Sequence, residues 1–190
     1  MKKTIYLVRH CKAEGQEAEA PLTRKGEEDA RALVQILKNV EIDHILSSPY
    51  KRALDTIKPL AQKLKLEIQK VEALKERVLS EVPMDDWLTK LEQTFLEKDL
   101  VFEGGESSRA ALSRILEIIK EIVKNEHMKN VVIVSHGNLL SLLIQHYCPN
   151  FGFKEWSEMK NPDIFIVDFE DSQAKVTHRK IVWNEKNPVH

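Results

Sequence analysis

Ile5-Tyr6-Leu7-Val8-Arg9-His10 decides the fold, because an apolar run of strand length ends there directly in an arginine and a histidine. A strand covered on both faces reads as such a continuous run, and in open α/β sheets ligands collect beyond the carboxyl ends of strands. Val131-Val132-Ile133-Val134 repeats the event and delivers Ser135-His136-Gly137 at its end. Outward from these two runs, helix and strand signals alternate. Thr23 reads as the N-cap of a helix whose apolar positions are Ala30, Leu33, Val34 and Leu37, and Ile42 to Ser47 predicts a short strand. Ser48-Pro49 predicts the start of a second helix with Arg52 in its first turn and a break near Lys58, where Pro59 removes a helical N–H. Leu66 to Val71 predicts a strand, and a helix is expected around Trp87 to Leu96. Gly104-Gly105-Glu106-Ser107 reads as a turn into a helix with an apolar face of Leu112, Ile115, Leu116, Ile119, Ile122 and Val123. A further apolar helix spans Leu139 to Tyr147. Ile164 to Phe169 and Lys175 to Ile181 predict a terminal strand pair around the turn Glu170-Asp171-Ser172, followed by a loose polar tail from Asn184. The pattern is that of an α/β three-layer sandwich, a mostly parallel central sheet with helices on both faces, in a single domain over residues 1–190.

Composition narrows the function classes. With 190 residues and a hydrophobic fraction of 42%, the chain can bury a substantial core. Its 29 basic and 30 acidic residues leave a net charge of -1, so no global field attracts nucleic acid or an anionic membrane, and an anion has to be captured by a local cluster. Two cysteines, Cys11 and Cys148, are too few for a disulfide framework, and the apolar run after Lys2-Lys3 is too short for a secretory signal. No stretch approaches the ~20 apolar residues of a membrane helix. A soluble, cytoplasmic protein is expected.

Position alone brings Arg9 and His10 to one strand end, Arg52 to the first turn after a second, and His136 with Gly137 to a third. Guanidinium forks match phosphate oxygens, and open helix N-termini favour negative charge, so this set suits a phosphoryl group. LVRH at residues 7–10, PLTRKG at 21–26, SSPYKRALDT at 47–56, GGES at 104–107 and VSHG at 134–137 stand in the same order in the histidine phosphatase superfamily, the phosphoglycerate mutase-like proteins, which the chain resembles over most of its length.

The resemblance implies that His10 is a nucleophile that takes up the phosphoryl group as a phosphohistidine, which water then hydrolyses, with no cofactor and no metal. It implies that Arg9, Arg52 and His136 clamp the non-bridging oxygens, with His136 charged, that Gly137 belongs to the phosphate site, and that Glu76, in Ala73-Leu74-Lys75-Glu76-Arg77, protonates the leaving alkoxide. The chain departs from the family pattern after His10. Cys11, Lys12 and Ala13 stand where relatives carry glycine, glutamate and threonine, and Gln16 takes the place of an asparagine as a phosphate donor. Lys12 adds charge near the pocket or points to solvent. The family's Trp-Glu-Gly signature after the acidic residue is missing, so Glu81, Asp85 and Asp86 stay as alternatives to Glu76. The segment around 72–103 reads as a lobe over the site that sets substrate specificity.

The expected activity is metal-independent hydrolysis of phosphate monoesters on a small phosphorylated substrate. Phosphoglycerate mutase-type transfer, dephosphorylation of phosphohistidine proteins and non-catalytic phospho-ligand binding are the other readings. The sequence leaves the oligomeric state open. A cysteine phosphatase is disfavoured, since that chemistry needs an arginine six residues after the cysteine and position 17 is Glu17. Arg77, Arg109, Arg114, His44 and His146 read as ordinary structural or surface residues, and Trp87 and Phe95 as lobe core.

Overall fold

The computed structural model describes residues 2–170 and 173–179. Its centre is a six-stranded sheet in the order β3-β2-β4-β1-β5-β6, built from β1 (Lys3–Arg9), β2 (His44–Ser47), β3 (Ile68–Lys70), β4 (Asn130–Ser135), β5 (Asp163–Glu170) and β6 (Gln173–Arg179). The first four run parallel to one another, and β5 and β6 form an antiparallel hairpin on the outer side of β1. Among the described residues the helices are α1 (Arg24–Ile36), α2 (Lys51–Leu64), α3 (Trp87–Leu96), α4 (Ser108–Lys124), α5 (Gly137–Tyr147) and α6 (Phe153–Glu158), with a 3₁₀ turn at Glu72–Leu74.

The period-two alternation of the central strands divides their side chains between two cores. Ile5, Leu7, Val131 and Ile133 pack with α4 and α5, while Val8, Val132 and Val134 pack with α1 and α2 on the other face. These two layers enclose β1 and β4, which explains their unbroken apolar runs. In register, Arg9 pairs with Ser135, so the carboxyl ends of the two central strands coincide and His10 lies beside His136.

Thr23 caps α1 as expected, accepting from the Gly26 N–H, and Ser107, the last residue of the expected turn, caps α4 by accepting from the Ala110 N–H. Three details differ from the sequence reading. Pro59 does not break α2, because that helix buries Ile57 and Leu60 against the sheet. Those two side chains supply ~1.5–3 kcal/mol each, against about 3 kcal/mol for an interior proline. Ser48 does not cap α2; the N-cap is Tyr50, and Ser48 Oγ accepts from the Tyr50 N–H at 3.3 Å. Trp87 is half exposed rather than core, whereas Phe95 is buried against Phe153 and Trp156 of α6, a helix too short to leave a periodic signal. The expected turn at Asp171-Ser172, the end of the last strand at Lys180-Ile181 and the polar tail from Asn184 lie outside the described residues. Among the described residues no helix is long and apolar enough to cross a membrane.

Candidate active site

His10 sits just past the end of β1, nearly buried, with its ring held by its neighbour: Nδ1 lies 2.7 Å from the Cys11 carbonyl oxygen. A carbonyl can only accept, so Nδ1 carries the hydrogen and Nε2 presents a lone pair. The Arg52 Nε–H donates to that lone pair at 3.2 Å. Burial, reinforced by the charges of Arg52 and Arg9 and opposed by the Cys11 carbonyl, pulls the His10 pKa down to about 4, so the ring is neutral at pH 7.

Arg52 joins the three strand ends. It is in the first turn of α2, almost wholly buried, and its Nη1 donates to the carbonyls of Gln16 and Glu17 at 3.0 and 2.9 Å. Its Nη2 faces His136 Nδ1 at 3.3 Å, and the Tyr50 ring packs 4.8 Å from the guanidinium carbon. Because Nη2 can only donate, His136 Nδ1 accepts, and Nε2–H is left to donate to Ser48 Oγ at 2.7 Å. The two imidazoles meet edge to face with centroids 5.1 Å apart. In this arrangement the His136 ring is neutral: burial first, then His10, Arg52, Arg114 and Arg9, hold its pKa well below the ordinary value.

Arg9 approaches from β1. Its Nη1 donates to the Met159 carbonyl at 2.8 Å, and its Nε is buried without a partner. The guanidinium lies over Gly137, where an added Cβ would stand 2.9 Å from Cζ and Nε, so glycine lets the arginine head rest there and a larger residue would require it to shift. Glu76 closes the cluster by capping α5 from outside that helix. Its Oε1 accepts from the N–H groups of Arg77 and Leu139 at 2.8 and 2.9 Å, and its Oε2 accepts from that of Asn138 at 3.0 Å. Burial lowers the pKa of Arg9 and of Arg52, and the Glu76 charge works against that in both.

A family profile for the histidine phosphatase superfamily, branch 1, matches residues 5–182. The chain belongs to that superfamily. Phosphoserine phosphatase 1 of Hydrogenobacter thermophilus is 28% identical over 176 residues, covering 80% of each chain. The probable phosphoglycerate mutase GpmB of Salmonella choleraesuis is 26% identical over 188 residues, covering 89% of this chain and 86% of the relative. Among solved structures, Bacillus stearothermophilus YhfR superposes with a TM-score of 0.78 at 24% identity, covering 95% and 98% of the two chains. The α/β fold is thus shared with that neighbour, and relatives with phosphatase names and with mutase names both match the sequence.

Within this superfamily member, His10, Arg9, Arg52, His136, Gly137 and Glu76 come together. Gln16 joins through its carbonyl on Arg52, while the residue itself is exposed. Glu81, Asp85, Asp86 and Lys12 are exposed. Cys11 is fully buried, and burial pushes its thiol up to about 12, which disfavours it as a nucleophile. Four contributors escaped the sequence reading. Ser48 and Tyr50 lie inside the quoted SSPYKRALDT run, which held a usable signal. Asn161, whose Nδ2 donates to the His10 carbonyl at 2.8 Å, and Met159 arrive from the loop before β5, where no local pattern announces them.

Proposed function

We propose that the chain hydrolyses phosphate monoesters of small molecules without a metal, through a phosphohistidine on His10. The observation that carries this is the fixed tautomer of His10: a neutral ring with Nδ1–H on the Cys11 carbonyl and the Nε2 lone pair in the middle of a cluster of cations. A neutral imidazole is nucleophilic without further activation. The Arg52 N–H groups that rest on His10 Nε2 and His136 Nδ1 are the donors a phosphoryl dianion would take over, its oxygens replacing the two ring nitrogens as acceptors. Arg9 Nε–H, now without a partner, is a further donor of the same kind. These donors stand ready before the charge develops, which is the electrostatic share of phosphoryl transfer.

In the first step His10 Nε2 bonds to phosphorus as the ester P–O bond breaks, and the leaving alkoxide takes a proton from Glu76. In the second, water attacks phosphorus, the P–N bond breaks, and Glu76 takes the water's proton. A carboxyl group has four lone-pair directions, and backbone N–H groups use two on Oε1 and one on Oε2. The remaining direction on Oε2 is the one left open for passing a proton to or from the substrate oxygen. The names of the phosphatase relatives support hydrolysis, and the segment 72–103 is the part of the chain that sets which ester is accepted. The likeness to GpmB keeps isomerisation of 3-phosphoglycerate as the second reading.

The test is phosphate release from a panel of phosphate esters without added metal, combined with trapping of acid-labile phosphate on the protein. Wild type is expected to do both and His10→Ala neither. Turnover by His10→Ala would refute the mechanism, and isomerisation without phosphate release would turn the assignment to a mutase.

A further inference from the structure

The peptide that joins His10 to Cys11 is gripped at both of its polar atoms by side chains remote in sequence. Its carbonyl accepts from Asn161 Nδ2 at 2.8 Å, and its N–H donates to Thr56 Oγ1 at 2.9 Å. Thr56 is completely buried one helical turn after Arg52, and its own hydrogen goes to the Arg52 carbonyl at 2.7 Å. A hydroxyl has one hydrogen, so the bond to Arg52 leaves only a lone pair to face Cys11, and the direction of both bonds is set.

We propose that Thr56 is a positioning residue, whose hydroxyl holds the backbone of the nucleophile segment in register with the backbone of Arg52. The proposal rests on the phosphohistidine reading above. Cys11 is the intermediary: its N–H is held by Thr56, and its carbonyl fixes His10 Nδ1–H. Through that chain a single hydroxyl decides how far His10 Nε2 lies from Arg52 Nε, the pair of atoms between which the phosphoryl group has to enter. A threonine bonded back to the preceding helical turn ordinarily does no more than bend its helix slightly. Here the same bond orients the hydroxyl for a tertiary contact 45 residues away in sequence. β-Branching restricts χ1, so the hydroxyl keeps that aim.

Thr56→Val keeps the shape and removes both bonds, and Thr56→Ser keeps the hydroxyl. Three measurements separate positioning from packing: the single-turnover rate of phosphohistidine formation from an aryl phosphate, inhibition by inorganic phosphate, and the His10 tautomer from ¹⁵N imidazole NMR. Thr56→Val is expected to slow phosphohistidine formation by ~10- to 100-fold, the penalty of a small misplacement of reacting groups, with phosphate inhibition unchanged. Its His10 should show a mixture of tautomers, and Thr56→Ser should restore both rate and tautomer. A Thr56→Val protein with the wild-type rate and a pure Nδ1–H tautomer would overturn the proposal, as would a Thr56→Ser protein as slow as Thr56→Val. Should wild type form no phosphohistidine at all, the functional reading fails instead, and the NMR comparison alone decides whether Thr56 positions the ring.

Discussion

Acidification tests the electrostatics of the site in a way that needs no substrate. His10 is pulled from the ordinary histidine value of 6.5 to about 4. At 1.36 kcal/mol for each tenfold change in proton affinity, that is a native-state preference for the neutral ring of about 3 kcal/mol. The unfolded chain binds this proton near pH 6.5, and the folded chain resists it until about pH 4. The unfolded state therefore carries more protons between those values, and stability rises with pH across the window. The contribution is complete above 6.5, is lost as pH falls to 4, and is constant below. His136, pulled down by burial and next by His10 itself, steepens the loss in wild type and does so less in a His10 variant. Urea unfolding of wild type and His10→Gln at a series of pH values reads the His10 part together with its effect on His136: between the ends of the window wild type should lose at least about 3 kcal/mol more than the variant. An NMR titration should place the His10 midpoint near 4. Parallel loss of stability in the two proteins, or a His10 midpoint at the free-histidine value, would refute the argument.

Other perturbations address single contacts. Arg52→Lys keeps the charge but loses the fork that reaches Gln16, Glu17, His10 and His136 together, and kcat for an aryl phosphate should fall by ~10²- to 10³-fold, as when one preorganised donor is removed. A variant within threefold of wild type would show that charge alone suffices. Gly137→Ala puts a methyl group 2.9 Å from the Arg9 guanidinium, so Arg9 must move and KM should rise; unchanged KM would remove Arg9 from phosphate binding. Glu76→Gln should slow alkyl phosphates far more than aryl phosphates with good leaving groups, and it should lower stability by about 1 kcal/mol through a weaker cap on α5. Equal losses on both substrates would point to another proton donor.

Much of the layout was legible because local physics decides it. Helix α3 was expected at its observed bounds, and the central strands announced themselves through unbroken apolar runs that follow from burial on two faces. Pro59 marks where local reasoning failed: the proline penalty is a property of the isolated helix, and the sheet beneath α2 outweighs it. His136 marks a different limit of local reading: its residue type and position were readable, but its electrostatics are set by burial, by His10 and by three arginines, none of which adjoins it in the chain.

By itself the sequence determined the α/β class, the two histidines at strand ends and the arginine in a first helical turn, because each depends on periodicity, caps and motif spacing within a few residues. Only the tertiary structure decided which nitrogen of His10 carries the lone pair, which donor faces it, and that Thr56, Met159 and Asn161 hydrogen-bond to Cys11, Arg9 and His10 respectively. The physical reason is that hydrogen-bond direction and desolvation are properties of the assembled neighbourhood, drawn here from strands and loops up to about 150 residues apart.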